Sequence, residues 1–171
     1  MLSDPDVTGV VTAALAGCAL SLLFLLARTD LRQRRLPNVL VLAYAAFFLP
    51  WAWLHGLSWA QAGLHLMVGG GGFLVLLLLF AVRCMGGGDV KLGAAVLFWA
   101  GPLKMLPVIA VVAWTGALIG ILGWLCDRYA ALCMKNGRPL ADRRWLHALS
   151  ARRGVPYGVA LAAGGLCALW S

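Results

Sequence analysis

The long apolar runs, and the few charges between them, decide what this chain can fold into. Residues 8–27 contain no charged side chain, and further apolar runs cover 39–54, 62–82, 88–101, 105–126 and 155–170. A helix needs roughly 20 apolar residues to cross the hydrocarbon core. A soluble domain is about a quarter charged, whereas only 12% of these 171 residues are charged and 63% are hydrophobic. A core of this size cannot hide that much apolar surface, so lipid must cover the excess. The pattern predicts an all-α polytopic membrane protein, one domain over 1–171, with about six transmembrane helices. The fourth run is short, about 21 Å at 1.5 Å per residue, and needs shelter from its neighbours. Glycines at all of 69–72 interrupt the third, and Pro102 stops the fourth.

The charges orient these helices. Arg28, Arg32, Arg34 and Arg35 lie in the predicted loop 28–37, and Arg83 and Lys91 in 83–91. Arg128, Lys135, Arg138, Arg143, Arg144, Arg152 and Arg153 lie in 127–154. Of the 14 basic side chains, only Lys104 falls elsewhere. Basic loops stay in the cytoplasm, so both termini are expected in the periplasm of a bacterial inner-membrane protein. The net charge of +8 follows from insertion and from contact with anionic headgroups. It calls for no nucleic-acid partner. The box Leu15-Ala16-Gly17-Cys18 looks like a lipoprotein cleavage site, but only acids precede the apolar run, where a signal peptide has a positive region. The five cysteines show no paired spacing, and no Cys/His set has the spacing of a zinc site. No metal is expected, and no Cys–His nucleophile has a local signature.

The chain has no glutamate, so its six aspartates can be weighed one by one. Asp4, Asp6, Asp127 and Asp142 read as solvated tail and loop charges. Asp30 and Asp89 each fall where a helix meets the predicted cytoplasmic face. Alone, Asp89 reads as a first-turn acid facing a helix dipole, and Asp30 as a partner of nearby arginines. Together they are two acids at one membrane depth on separate helices, where ionisable groups are costly and mark function. Paired carboxylates share one proton. The ionised member activates a water and the protonated one donates to the oxyanion, which is aspartyl proteolysis. That chemistry needs no metal, no cofactor and no G-x-S-x-G motif.

The residues around these acids carry a resemblance. Gly86-Gly87-Gly88-Asp89, with Val90-Lys91-Leu92 after it, resembles the G-x-G-D motif of type IV prepilin peptidases and their archaeal preflagellin relatives. The segment from Asp30 to Leu36-Pro37-Asn38 resembles that family's first-aspartate motif. Val155-Pro156-Tyr157-Gly158 is similar to the stretch opening its last helix. The resemblance implies catalytic roles for Asp30 and Asp89, with support from Gly86, Gly88, Lys91, Pro37, Asn38, Pro156, Tyr157 and Gly158. It implies removal of the short basic leader of pilin or pseudopilin precursors at the cytoplasmic face, beside the pilus assembly machinery. Larger members add a C-x-x-C domain and N-methylate the new terminus. This chain has no such domain and resembles the compact branch of tight-adherence (Flp) pili, so S-adenosylmethionine is not expected as a cofactor.

Other readings compete. A transporter would place ionisable groups at the midplane or repeat its halves, and neither is visible. A silent membrane scaffold is not excluded by motif. A presenilin-like protease pairs its G-x-G-D with Tyr-Asp, but Thr29 precedes Asp30. The tetraglycine reads as close packing against the first or fourth helix, with a substrate-admitting hinge as the alternative. His55 and His65 lie too far from the acids to assist them. Trp145, Leu146 and Leu149, set among arginines, suggest an interfacial helix in contact with lipid.

Overall fold

The computed structural model describes residues 5–135 and 156–170. Among them every regular element is a helix: α1 (Pro5–Gln33), α2 (Asn38–Ala46), α3 (Phe48–Leu54), α4 (Trp59–Ala81), α5 (Gly87–Lys135) and α6 (Tyr157–Trp170). Three helical stretches, Val7–Gln33, Trp59–Ala81 and Gly87–Cys133, are long and apolar enough to cross a membrane, and Asn38–Leu54 and Tyr157–Trp170 are shorter apolar helices. The interfacial helix expected around Trp145 lies outside the described residues.

Several helices differ from the expected bounds. Helix α1 continues through Asp30 to Gln33, residues that the hydropathy reading leaves in a loop. Leu31, Arg32 and Gln33 are good helix formers, so the helix outlasts the apolar run. The first residues of α5 likewise begin inside the expected loop 83–91, and its end runs past the expected 126 to Lys135. The single expected run 39–54 is broken at Phe47. Pro50 has no N–H for the Ala46 carbonyl and its ring crowds that carbonyl, so the chain restarts its helix there.

Instead of two helices separated by a loop, α5 is two segments joined at Gly101, whose φ of 61° and ψ of −172° lie in a region open essentially to glycine alone. The first segment runs parallel to α6, with Gly93 against Leu161. The second runs back along it: Lys104 meets Ala168, Val108 and Val112 meet Gly164, and Gly116 meets Tyr157. Pro102 cannot donate to the Phe98 carbonyl four residues back. His65 of α4 supplies the missing donor through Nδ1 at 2.8 Å. Its ring lies where a Cβ on Gly101 would be, 2.4 Å from that position.

The helices pack closely because small residues face one another. Helix α6 buries Gly158, Ala160, Ala162, Gly164, Gly165 and Ala168, and Leu23 of α1 fills the space over Gly165. The tetraglycine divides in two. A Cβ on Gly69 would sit 2.7 Å from the Phe98 Cβ, and one on Gly72 2.3 Å from Leu97, whereas Gly70 and Gly71 face open space. The first pair therefore seats α4 on the first segment of α5, the expected fourth helix. In the core, Tyr44 stacks on Trp99 at 5.6 Å between centroids, and the Trp99 indole N–H donates to the Tyr44 carbonyl at 2.9 Å. Serine and threonine in α1 satisfy themselves: Ser21 donates to the Gly17 carbonyl and Thr29 to that of Leu26.

Candidate active site

The last turn of α1, the first turn of α5 and the first turn of α6 meet at one end of the bundle. Asp30 is the buried charged side chain among the described residues, at 5% exposure. It is placed by α6. The residue before that helix is Pro156, whose side chain has no oxygen with which to cap the first N–H groups. The Asp30 carboxylate takes that place from another helix. Its Oδ2 accepts the Gly158 N–H at 2.9 Å. The positive end of a helix dipole suits a carboxylate. Glycine is required at 158 for the contact, since a Cβ there would lie 2.8 Å from the Asp30 Cγ.

Asp89 is the third residue of α5, and its carboxylate folds back toward Gly86, the residue before the helix. A Cβ on Gly86 would sit 3.0 Å from the Asp89 Oδ2, and one on Gly88 3.1 Å from the Leu36 Cβ. Gly86 and Gly88 thus let the acid and the α1–α2 turn close on the same backbone. Asp89 lies within electrostatic reach of Asp30, so the fold brings together the two acids that the sequence singles out.

The other expected residues divide. The Lys91 ammonium donates to the Asn38 Oδ1 at 3.0 Å, fastening the start of α2 to the first turn of α5. Pro37 is the N-cap residue of α2, in extended conformation. Pro156 is fully buried. The Tyr157 ring lies 3.4 Å from where a Cβ on Gly116 would be, so it packs on the second segment of α5. His55 and His65 sit far from the acids, at the opposite end of the bundle.

Sequence reasoning missed Arg34 as part of this site. Its guanidinium acts electrostatically on both Asp30 and Asp89. Arg34 has φ 52°, and its N–H donates to the Asp30 carbonyl at 2.9 Å. This is the left-handed helix ending at which glycine is usual. The available signal was the four-residue spacing from Asp30, which places two side chains on one helix face. Arg83, with φ 61°, closes α4 in the same manner, with Cys84 and Arg83 N–H groups bonded to the Leu79 and Phe80 carbonyls.

A groove of about 490 Å³ is lined by Asn38 and Lys91 at one end and by Leu66, Gly70, Phe73 and Phe98 further along, and neither acid lines it. Apart from its mouth it is apolar. No group of three or more His, Cys, Asp or Glu suited to a metal occurs among the described residues. Two neighbouring carboxylates, one held by a backbone N–H and both under the influence of the Arg34 charge, can share a proton and activate water.

A family model described as the type IV leader peptidase family matches residues 17–121. The matched stretch contains Asp30, Pro37, Asn38, Gly86, Gly88, Asp89 and Lys91, and ends before Pro156. No curated protein and no solved structure matches the chain.

Proposed function

The chain belongs to the type IV leader peptidase family, and from that premise we propose that it is an aspartyl endopeptidase whose catalytic pair is Asp30 and Asp89. The observation that carries this reading is the meeting of the two carboxylates at one end of the bundle, Asp30 on the Gly158 N–H and Asp89 within its electrostatic reach. One proton is shared by the pair. A water between them loses a proton to the ionised member as it attacks the scissile carbonyl. The protonated member donates to the carbonyl oxygen, and collapse of the tetrahedral intermediate returns a proton to the leaving amine. The Asp30 Oδ2 is engaged by Gly158, which leaves Oδ1 for the water or the shared proton. Asp30, Asp89, Gly86, Gly88 and Gly158 build the site in this reading. Lys91, Asn38 and Pro37 hold its rim, and Pro156 and Tyr157 seat α6.

The substrates are pilin or pseudopilin precursors with a short basic leader, cut at the cytoplasmic face of the inner membrane. The clustering of basic side chains in the loops at the acid end supports that face. An apolar segment continuing from the scissile bond would lie in the groove between Asn38 and Phe98. With no C-x-x-C pair in the sequence, the chain fits the peptidase-only branch serving Flp-type pili, without methyl transfer.

Co-expression with a candidate precursor and N-terminal sequencing of the product test this. Wild-type chain should remove the leader, whereas Asp30→Asn and Asp89→Asn should each abolish removal while still inserting. The double variant should be hardly worse than either single one, since residues acting as a unit lose activity non-additively. Near-normal cleavage by a well-expressed single variant would end the aspartyl mechanism and favour a silent scaffold.

A further inference from the structure

A second cavity, of about 670 Å³, lies away from the acids and is lined by Trp51, His55, His65, Trp99, Leu103 and Lys104 among others. Ala16 of α1 also lines it, 14 residues before Asp30 and so about 21 Å along the helix axis. On α5 the separation from Asp89 to Ala100 is about 16 Å by the same rise. The hydrocarbon core is about 30 Å thick, so with the acids at one membrane edge these residues lie past the midplane, toward the other.

Its chemistry is unlike that of the rest of the surface. Lys104 is the one basic side chain that the loop charges leave over, and it is half-buried in the cavity wall. It donates to the Ala168 carbonyl at 3.2 Å, which caps the end of α6. An ammonium has three donors, and that carbonyl takes one. Among the described residues lining the cavity there is no carboxylate. The His65 and His55 rings each donate through Nδ1 to a backbone carbonyl at 2.8 Å. The Gln61 amide adds further donors. Around these polar groups the wall is Leu57, Leu64, Leu103, Leu169, Trp51 and Trp99, and Leu103 is 92% exposed, so the cavity is open on a side where lipid chains lie.

A half-buried ammonium at an apolar wall attracts an anion, while the apolar walls beside it suit an acyl chain. We propose that this cavity binds a phosphoryl anion, carried by the headgroup of an anionic phospholipid, with Lys104 as its charge partner and the Gln61 amide as a hydrogen-bond donor. Phosphate presented on a lipid and free phosphate share this chemistry, and the lipid is favoured by the apolar wall. The site is independent of the aspartyl reading, since it shares no residue with the acids.

The test is native mass spectrometry of the purified full chain in detergent, titrated with phosphatidylglycerol and with diacylglycerol of the same acyl chains. Phosphatidylglycerol should bind about tenfold more tightly, the worth of one charge-assisted hydrogen bond. Lys104→Gln should erase that preference. Because Lys104→Gln also removes the cap on α6, Leu64→Trp provides a second probe that fills the cavity and leaves the lysine and its carbonyl intact. It should lower phosphatidylglycerol binding about tenfold with melting unchanged, a loss that tertiary disruption at α6 cannot explain. Equal binding of the two lipids, or a preference that survives both variants, overturns the proposal. Displacement of phosphatidylglycerol by millimolar inorganic phosphate would show that the anion alone is the ligand and overturn the lipid assignment.

Discussion

The Gly158 N–H donates to the Oδ2 of Asp30 at 2.9 Å across 128 residues of sequence, so the start of the last helix is capped by the end of the first. Gly158→Ala keeps the donor and adds one methyl group, at 2.8 Å from the Asp30 Cγ. Either α6 retreats or the carboxylate turns away. Misplacement of a reacting group by about 1 Å costs about 10²-fold in rate. Leader removal by Gly158→Ala should fall by roughly that factor while the protein still inserts. Wild-type cleavage by this variant would show that the contact is not part of the working geometry.

Arg34→Gly separates a backbone effect from a charge effect. Glycine is at ease at φ 52°, where a side chain costs roughly 1–2 kcal/mol, so melting in detergent should rise or stay level. The guanidinium that acts on both acids is lost, and cleavage should fall about tenfold, the size of one 1.4 kcal/mol interaction. Thermal unfolding and a gel-shift cleavage assay read the two effects separately. A variant both more stable and fully active would remove Arg34 from the site.

The glycines of α4 should split by position. Gly69→Ala meets the Phe98 Cβ and backbone, and overpacking of that kind costs about 1–3 kcal/mol. Gly70→Ala meets nothing within 4 Å and should be neutral or stabilising by up to about 1 kcal/mol, the helix-propensity difference. The two melting curves in the same detergent decide it. Equal destabilisation would mean that both positions serve packing.

Tyr44 is fully buried and its hydroxyl has no hydrogen-bond partner among the described residues. Leaving such a group unmade costs about 1–3 kcal/mol, and Phe keeps the ring that stacks on Trp99. Tyr44→Phe should therefore melt no lower than wild type. A fall of several degrees would reveal a partner for the hydroxyl.

Much of the site was legible because the chain has so few acids. Asp30 and Asp89 stand out with no glutamate to confuse them, and each lies at the end of an apolar run, which is where α1 ends and α5 begins. The close seating of α4 by glycine was legible too, although only Gly69 and Gly72 carry it. What hydropathy could not show is where a helix stops, because lipid contact ends at Ala27 while favourable helix formers carry α1 to Gln33. Nor could it show what a glycine touches. Gly158 reads as one more small residue until Asp30, from the far end of the chain, is seen against it. The reversal at Gly101 was half visible as a Gly-Pro stop. The donation from His65 that makes it possible is a contact between distant positions, and no local pattern announces it.

The reach of that same Asp30 contact sets a schedule for synthesis. Translation adds roughly 5–20 residues per second, so Gly158 is made on the order of ten seconds after Asp30. Until α6 has left the ribosome and entered the bundle, the α1 carboxylate has no backbone donor to hold it. A growing chain thus holds Asp30 without that donor until its last segment arrives, and under the proposed mechanism it stays inactive until then.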